Sequence, residues 1–281
     1  GRGKRSRLGL AGDTPLSAIS ALQIEHRDTV DWVTLNQPDN GNALGDIMVE
    51  ELAKYFESLA NKDDTRVVVL KANGRHFCVG ADLSGAGFSE SARTARNVWS
   101  VQRSIARIYK AMRRCPQPII ALLHGAACGG GFSLAMASDI RIAGESAKMN
   151  AAYIKIGLTG CDMGSSYFLP RLVGMSVASE LLMTGRFIHA PRALAVNLVS
   201  EVVPDAELEI AAQSYVDDML RTAPMGLRLT KEALNFSVDA PSLEAAMATE
   251  DRHQALLALT DDSIEAGLAF IEKREAEYKD R

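Results

Sequence analysis

The chain has 281 residues, with 31 Lys and Arg against 35 Asp and Glu, 47% hydrophobic residues and 22 Gly. These values are typical of a globular protein and exclude wholesale disorder and a collagen-like repeat. The four Cys residues form no CxxC motif and the five His residues form no HExxH motif, so we predict no disulfide scaffold and no metal site. This cysteine usage fits a reducing compartment, and we expect the protein to be cytoplasmic.

Residues 1–18 form a basic tail, in which four Lys and Arg residues precede the first acidic residue, Asp13. We predict a flexible end here, although a basic arm or part of a transit sequence would have the same composition. The rest of the chain is more acidic than the net charge of −4 indicates, which argues against a nucleic-acid partner. The uncharged segment 119–137 has the length of a membrane span, but its central Gly129–Gly131 run predicts a turn, so we expect no membrane association.

Apolar spacing predicts alternating strands and helices over the first two thirds of the chain. In chain order it predicts a hairpin at 19–35, a helix at 48–59, a strand at 67–70, a Gly-rich loop at 73–87, a helix at 98–112, a strand at 119–123, a helix at 132–137 and a strand at 139–143. This alternation favours an α/β core with parallel strands over 19–205. Helical periods without strand patterns follow, which predicts a helical C-terminal region over 206–281.

Two Gly-rich segments, 77–83 and 124–131, each follow a predicted buried strand. A Gly129–Gly131 run at a helix start leaves backbone N–H groups free beside the positive end of the helix. Such a site favours a developing negative charge and admits a ligand close to the backbone. Taken alone, the second segment could bind phosphate or be only a tight turn. The sequence contains no GxGxxG, Walker or GxSxG motif.

Together, the two segments resemble the crotonase (enoyl-CoA hydratase/isomerase) superfamily from about residue 19 onward. Further matching pieces occur in the same order, and each of them is weak alone. They are Leu35–Pro38, Asn42–Leu44, Ala137–Arg141, Leu169–Gly174, Leu182–Arg186 and Phe270–Arg274.

The resemblance implies a spiral of ββα units followed by C-terminal helices that build a homotrimer or a dimer of trimers. It also implies an acyl-CoA thioester as substrate, with coenzyme A as part of the substrate and no separate cofactor. By the same resemblance, the N–H groups of Ala81 and Gly130 form an oxyanion hole. This agrees with the residue pattern, since an enolate oxygen requires two preorganised donors.

The sequence departs from the resemblance at the acid/base positions. Hydratases of this superfamily carry two Glu residues where this chain has Ser133 and Tyr153. A serine hydroxyl is no general base at neutral pH without a partner, and a tyrosine of ordinary pKa donates only a proton or a hydrogen bond. Addition of water by two carboxylates is therefore in doubt.

Asp162 is the available replacement carboxylate, because isomerases and synthases of the superfamily carry an Asp at the matching place. If it is partly desolvated, its raised pKa suits proton transfer at the α or γ carbon of the acyl group. Alternatively, Asp162 caps the following helix. We predict Asp162 as acid/base, with Tyr153 or a water assisting.

Contacts with the CoA ester are implied by the resemblance and involve mainly the two Gly-rich segments. At the C-terminus, a neighbouring subunit could supply an aromatic and a basic residue, although these could equally be a packing residue and a solvated lysine. The predicted substrate-binding residues are Ala43, Cys78, Val79, Gly80, Asp82, Leu83, Gly129, Ser133, Phe270 and Lys273.

The resulting hypothesis is an enzyme that hydrates or isomerises an enoyl-CoA through a thioester enolate, in fatty-acid or related acyl-CoA metabolism. A carbon–carbon bond synthase or a hydrolase would use the same oxyanion hole. A protein that binds acyl-CoA without converting it is the third alternative, since both Glu positions are lost.

Overall fold

The computed structural model describes residues 20–84, 90 and 93–281. The predicted tail 1–18 and part of the predicted loop 73–87 lie outside the described residues. The strands are β1 (Leu22–Arg27), β2 (Val30–Leu35), β3 (Val67–Ala72), β4 (Ile119–Leu123), β5 (Ala126–Cys128), β6 (Ile140–Gly144), β7 (Lys148–Asn150), β8 (Ile188–His189) and β9 (Glu201–Val203). The helices are α1 (Asp46–Ser58), α2 (Ala95–Arg114), α3 (Gly130–Ala137), α4 (Ser165–Val173), α5 (Met175–Thr184), α6 (Ala190–Ala195), α7 (Leu208–Leu220), α8 (Pro224–Ser237), α9 (Leu243–Leu257) and α10 (Asp261–Glu272).

The larger sheet has six strands in the order β1-β2-β3-β4-β6-β9. Strands β1 and β2 form the predicted antiparallel hairpin, and every further neighbour in this sheet pairs in parallel. The predicted α/β core with parallel strands is therefore confirmed. A smaller sheet, in the order β5-β7-β8, includes part of the second Gly-rich segment as β5.

The continuous apolar runs of β3 and β4 are explained by packing on both faces of the larger sheet. Val68 and Leu70 of β3 face the main core, whereas Val67 and Val69 face a second cluster that includes Leu208 of α7. A strand covered on both sides is apolar at successive positions rather than at alternate ones.

The second Gly-rich segment differs from the prediction in two ways. Strand β5 (Ala126–Cys128) lies inside the segment predicted as a loop, and α3 begins at Gly130 rather than at residue 132. Three small residues give no β-branched or alternating pattern, and glycine has low helix propensity, so neither feature was visible in the sequence.

All regular structure after β9 is helical, as the sequence predicts. Helix α8 is attached to the core by Lys231, whose buried ammonium donates hydrogen bonds to the carbonyls of Met112 and Gln117 at 3.0 and 2.8 Å. The same ammonium lies 2.9 Å from a carboxylate oxygen of Asp139. Because α7 and α8 both pack onto the core, the domain boundary placed after residue 205 stays a prediction.

Within the ranges listed above, no helix combines the length and the apolar character needed to cross a lipid bilayer.

Candidate active site

The two Gly-rich segments run side by side. The Cys78 amide donates a hydrogen bond to the Ala126 carbonyl at 3.1 Å, and the Cys128 amide donates one to the Cys78 carbonyl at 2.9 Å. Cys78 thereby pairs with Ala127 in parallel register. Three residues further along each segment come Ala81 and Gly130, which this register brings to the same level.

The backbone amides of Ala81 and Gly130 donate no hydrogen bond within the part of the chain that the structure describes. Gly130 is the first residue of α3, so its N–H has no intrahelical acceptor and lies at the positive end of the helix dipole. The neighbours of Ala81 pair with Leu44, because the Leu44 amide donates to the Gly80 carbonyl and the Asp82 amide donates to the Leu44 carbonyl. This pairing does not use the Ala81 N–H. Both predicted oxyanion donors therefore lack an acceptor among the residues that the structure describes.

Two glycines of the second segment are required by its geometry. Gly129 has φ 52° and ψ −117°, a backbone conformation that strains any residue with a Cβ. A Cβ on Gly131 would lie 2.2 Å from the Cys78 carbonyl oxygen. A larger residue at either position would separate the two segments and displace the amides.

Tyr109 of α2 is a buried residue that the sequence did not single out. Its hydroxyl donates a hydrogen bond to the Gly130 carbonyl at 2.9 Å and lies 3.2 Å from Met163 Sδ. Burial raises the pKa of Tyr109 well above its usual value, so the hydroxyl stays a neutral donor. The sequence could have indicated that Tyr109 is buried, because its spacing from Ile105 and Met112 places it on the apolar face of α2.

Asp162 is half-buried, next to the segment that carries Gly130. One of its carboxylate oxygens accepts a hydrogen bond from the Met163 amide at 2.7 Å and a second from the side-chain amide of Gln102. Burial raises the pKa of Asp162 above its ordinary value, although these two donors offset part of the rise. Gln102 is a further residue that the sequence did not single out.

The alternative role of Asp162 as a helix cap finds no support. Helix α4 is preceded by Gly164 as its N-cap, which provides no side-chain hydrogen bond. Met163 lies between Asp162 and α4 in the chain. Its φ of 48° is an uncommon conformation for a non-glycine residue. Strained residues of this kind occur at functional sites, where the surrounding structure holds them.

Ser133 and Tyr153 carry buried hydroxyls near the same place. The Ser133 side chain is fully buried and Tyr153 is 5% exposed. Among the described residues, neither Ser133 Oγ nor Tyr153 Oη forms a hydrogen bond of good geometry, but the hydroxyls of Ser133 and Ser165 lie close enough to Tyr153 Oη to lower the pKa of Tyr153. Burial raises the pKa of Tyr153 to about 12, so it is a neutral hydroxyl at physiological pH.

The other predicted contacts fall into two groups. Ala43 and the residues from Cys78 to Leu83 lie along the first Gly-rich segment, where the Asp82 carboxylate accepts hydrogen bonds from the Ser84 amide and hydroxyl at 3.0 and 2.6 Å. Phe270 and Lys273 lie at the end of α10, and Phe270 is 86% exposed. Hydrogen bonds attach α10 to the terminal segment 274–281 rather than to the Gly-rich segments.

The side chain of Asn42 fixes the chain just before the first Gly-rich segment by three hydrogen bonds. Its side-chain amide donates to the carbonyls of Asn73 and His76, both at 2.9 Å, and its side-chain oxygen accepts from the Gln37 amide at 2.8 Å. Nearby, the ring of His124 contacts the Gly74 carbonyl at 2.8 Å, which favours a structural role for this histidine.

A cavity of about 1060 Å³ lies between α2, α4 and α8. It meets the candidate site at Tyr109 and Met163, and Phe168 lines it further out. No group of three or more His, Cys, Asp or Glu residues in the described ranges is arranged to hold a metal ion.

Comparisons with known proteins agree with this geometry. The sequence model of the Enoyl-CoA hydratase/isomerase family matches residues 25–281. A probable enoyl-CoA hydratase of Mycobacterium tuberculosis is 37% identical over 258 residues, which cover 90% of either chain. The 1,2-epoxyphenylacetyl-CoA isomerase of Escherichia coli is 31% identical over 246 residues, covering 88% of this chain and 93% of that protein.

Solved structures extend the likeness to the fold. The crystal structure of an enoyl-CoA hydratase from Bacillus anthracis superimposes with a TM-score of 0.87 at 31% identity, covering 93% of this chain and all of that one. The expected crotonase-type fold with a helical C-terminal region is thereby confirmed, whereas the assembly of these helices into trimers stays a prediction.

Proposed function

The chain belongs to the enoyl-CoA hydratase/isomerase family, and from this membership we propose that the amides of Ala81 and Gly130 hold the thioester oxygen while Asp162 moves a proton on the acyl chain. The observation that carries this proposal is the half-buried Asp162 carboxyl, linked to Gly130 through Met163 and Tyr109. It combines a base of raised pKa with two free amide donors.

The two amides would stabilise the enolate that forms when a proton leaves the carbon beside the thioester carbonyl. A donor of this kind, fixed before the reaction, contributes about 10²–10³ in rate. Tyr109 would fix the first turn of α3 through its bond to the Gly130 carbonyl. The raised pKa of Asp162 makes its carboxylate a stronger base than an exposed aspartate.

Among the reactions of the family, a single carboxylate is best suited to isomerisation of a double bond. Asp162 would take a proton from one carbon of a 3-enoyl-CoA and return it two carbons further along, so that no water is consumed. Addition of water ordinarily uses two carboxylates here. The Ser133 hydroxyl is no general base without a partner, and burial raises the pKa of Tyr153 to about 12, so its hydroxyl stays neutral. Tyr153 can assist as a hydrogen-bond donor.

The contacts with coenzyme A belong to the same proposal. The backbone between Cys78 and Leu83 would border the pantetheine, and the cavity beside Tyr109 and Met163 would receive the acyl tail. Phe270 and Lys273 would reach the substrate of a neighbouring subunit, because the exposed ring of Phe270 is not covered by its own chain.

The experiment compares the wild-type protein with Asp162→Asn on 3-enoyl-CoA and 2-enoyl-CoA esters, followed by mass spectrometry and chromatography. We expect Asp162→Asn to lose most turnover and to keep its affinity for the ester, since the amide retains the hydrogen-bonding oxygen. The control is Asp46→Asn, an exposed residue at the start of α1.

Full turnover by Asp162→Asn would contradict the assignment of Asp162 as the residue that transfers the proton. Product masses separate the remaining alternatives, because hydration adds water, isomerisation changes no mass and a hydrolase releases coenzyme A. Binding without any product in the wild type would instead identify an acyl-CoA-binding protein that is not a catalyst.

A further inference from the structure

Helix α2 carries a charge that is unusual for this chain. Its 20 residues include six Lys and Arg and no Asp or Glu, although acidic residues outnumber basic ones, 35 to 31, over the whole sequence. Arg107 is paired with Glu50 and Glu57 of α1, and Arg113 is paired with Asp139. The other four cations are exposed and form no ion pair among the residues that the structure describes, and we call them the cationic stripe: Arg96, Arg103, Lys110 and Arg114.

The cationic stripe follows one straight line along the helix. An α-helix completes a turn in about 3.6 residues, so the positions 7 and 14 residues after the first lie within about 40° of it, and the position 18 residues after it lies directly above it. The stripe is about 27 Å long at the usual rise per residue. The opposite side of α2 carries buried residues such as Ile105, Ile108 and Met112, so the stripe faces solvent.

An exposed tryptophan lies beside the first half of the cationic stripe. Trp99 is 64% exposed. It follows Arg96 by three positions and precedes Arg103 by four, which places the three side chains on one face of the helix. Indole rings prefer the boundary between water and lipid headgroups, and basic side chains are attracted to anionic headgroups at the same depth.

The straightness of the cationic stripe favours a flat partner. A plane touches a convex helix along a single line, so all four cations and Trp99 can reach a planar surface at the same time. An anionic lipid bilayer presents such a plane and attracts basic groups within a Debye length, about 8 Å at physiological ionic strength. Acidic residues on faces that point away from the bilayer are largely screened over that distance.

We propose that the cationic stripe and Trp99 dock this protein on the surface of an anionic lipid bilayer. A contact of this kind requires no spanning segment, so we revise the expectation of no membrane association. The bilayer would lie on the solvent side of α2, whose inner side carries Gln102 and Tyr109 next to the candidate site. The inference goes beyond the proposed function and does not depend on the role of Asp162.

The test follows binding of the full chain to lipid vesicles by tryptophan fluorescence. The chain has two tryptophans, and Trp32 is only 2% exposed, so a change at the membrane reports on Trp99. We expect vesicles of phosphatidylcholine with phosphatidylglycerol to bind the protein and to shift its emission to shorter wavelength, whereas phosphatidylcholine alone should not. Brominated acyl chains in the anionic vesicles should quench this emission, and high salt should release the protein.

The double variant Arg103→Gln, Lys110→Gln removes two cations from the stripe. It should weaken binding to the anionic vesicles by about fivefold for each charge removed. The matched control is Arg192→Gln, Arg221→Gln, which removes the same charge from exposed positions in α6 and at the end of α7. This control should bind as the wild type does.

Equal binding to the two kinds of vesicle, or no binding to either, would overturn the inference and leave the proposed function standing. Equal weakening in the control variant would show that net charge alone matters and would overturn it as well. Vesicle binding that leaves Trp99 unquenched and survives the loss of Arg103 and Lys110 would place the contact elsewhere, such as at the basic tail 1–18, and would contradict the proposal. Release of the protein from anionic vesicles by an equal charge of single-stranded oligonucleotide would identify a nucleic-acid surface instead.

Discussion

At the level of single residues, the proposed reaction depends on the hydrogen bonds and the burial that set the pKa of the Asp162 carboxyl. Asp162 is desolvated enough to have a raised pKa, yet it accepts two hydrogen bonds that limit the rise. One donor, the Met163 amide, is fixed by the backbone, whereas the other belongs to the side chain of Gln102. Gln102 is therefore a positioning residue whose effect passes through Asp162.

Gln102→Leu should move the acidic limb of the pH profile of kcat/KM to higher pH. The active form of Asp162 is the carboxylate, so activity falls as pH decreases through its pKa. Losing the Gln102 donor removes a contact that lowers this pKa, and the pKa then rises further. The measurement is kcat/KM against pH for a 3-enoyl-CoA, and an acidic limb that stays in place or moves to lower pH would contradict the assignment.

At the scale of elements, the site is formed where two loops and the first turn of α3 meet. The parallel pairing of Cys78 with Ala127 aligns the loops, and Tyr109 holds the Gly130 carbonyl from the opposite side. A change at Gly130 therefore affects the element as a whole. A Cβ there would lie 2.4 Å from Leu44 Cδ1 and 3.0 Å from both Met163 Sδ and Tyr109 Oη.

Gly130→Ala should lower kcat/KM by about 10²–10³, the loss expected when one oxyanion donor is displaced. The clashing atoms are ends of side chains that can move, so we expect the fold to persist, as circular dichroism would show. Gly226→Ala is the control, because a Cβ there, within α8, would make only an ordinary contact with Ala223 Cβ at 3.9 Å and should leave turnover unchanged. Wild-type activity in Gly130→Ala would exclude the Gly130 amide as a donor.

At the scale of the whole molecule, the C-terminal helices expose large apolar side chains. Leu259, Phe270 and Ile271 are each more than three quarters exposed, at 85%, 86% and 77%. Large apolar side chains exposed to this degree are typical of an interface, and a closed symmetric assembly would cover them. We therefore propose that copies of this chain associate through α9 and α10, as the resemblance implies.

Light scattering should give a mass of three times the chain's 30.3 kDa, or six times for paired trimers. The double variant Leu259→Asp, Ile271→Asp should reduce this mass, because charged groups would then have to be buried at the interface. A monomer mass for the wild type at micromolar concentration would contradict the proposal.

The sequence predicted the alternating strands and helices of the core and the two Gly-rich segments, because these depend on local apolar periods and on glycine clusters. It did not predict β5, whose three small residues form a strand only by pairing with β7 (Lys148–Asn150). Tyr109 and Gln102 were missed for a related reason. Their roles depend on Gly130 and Asp162, 21 and 60 positions away in the chain, and no periodic pattern encodes such contacts.

In the proposed reaction, Asp162 exchanges a proton with a carbon of the acyl chain while the amides of Ala81 and Gly130 hold the enolate. The most direct test is deuterium incorporation from D₂O into a bound 3-enoyl-CoA, followed by NMR at the α and γ carbons. We predict incorporation with the wild-type protein and almost none with Asp162→Asn at equal ester saturation. Incorporation at the wild-type rate in Asp162→Asn would contradict the claim.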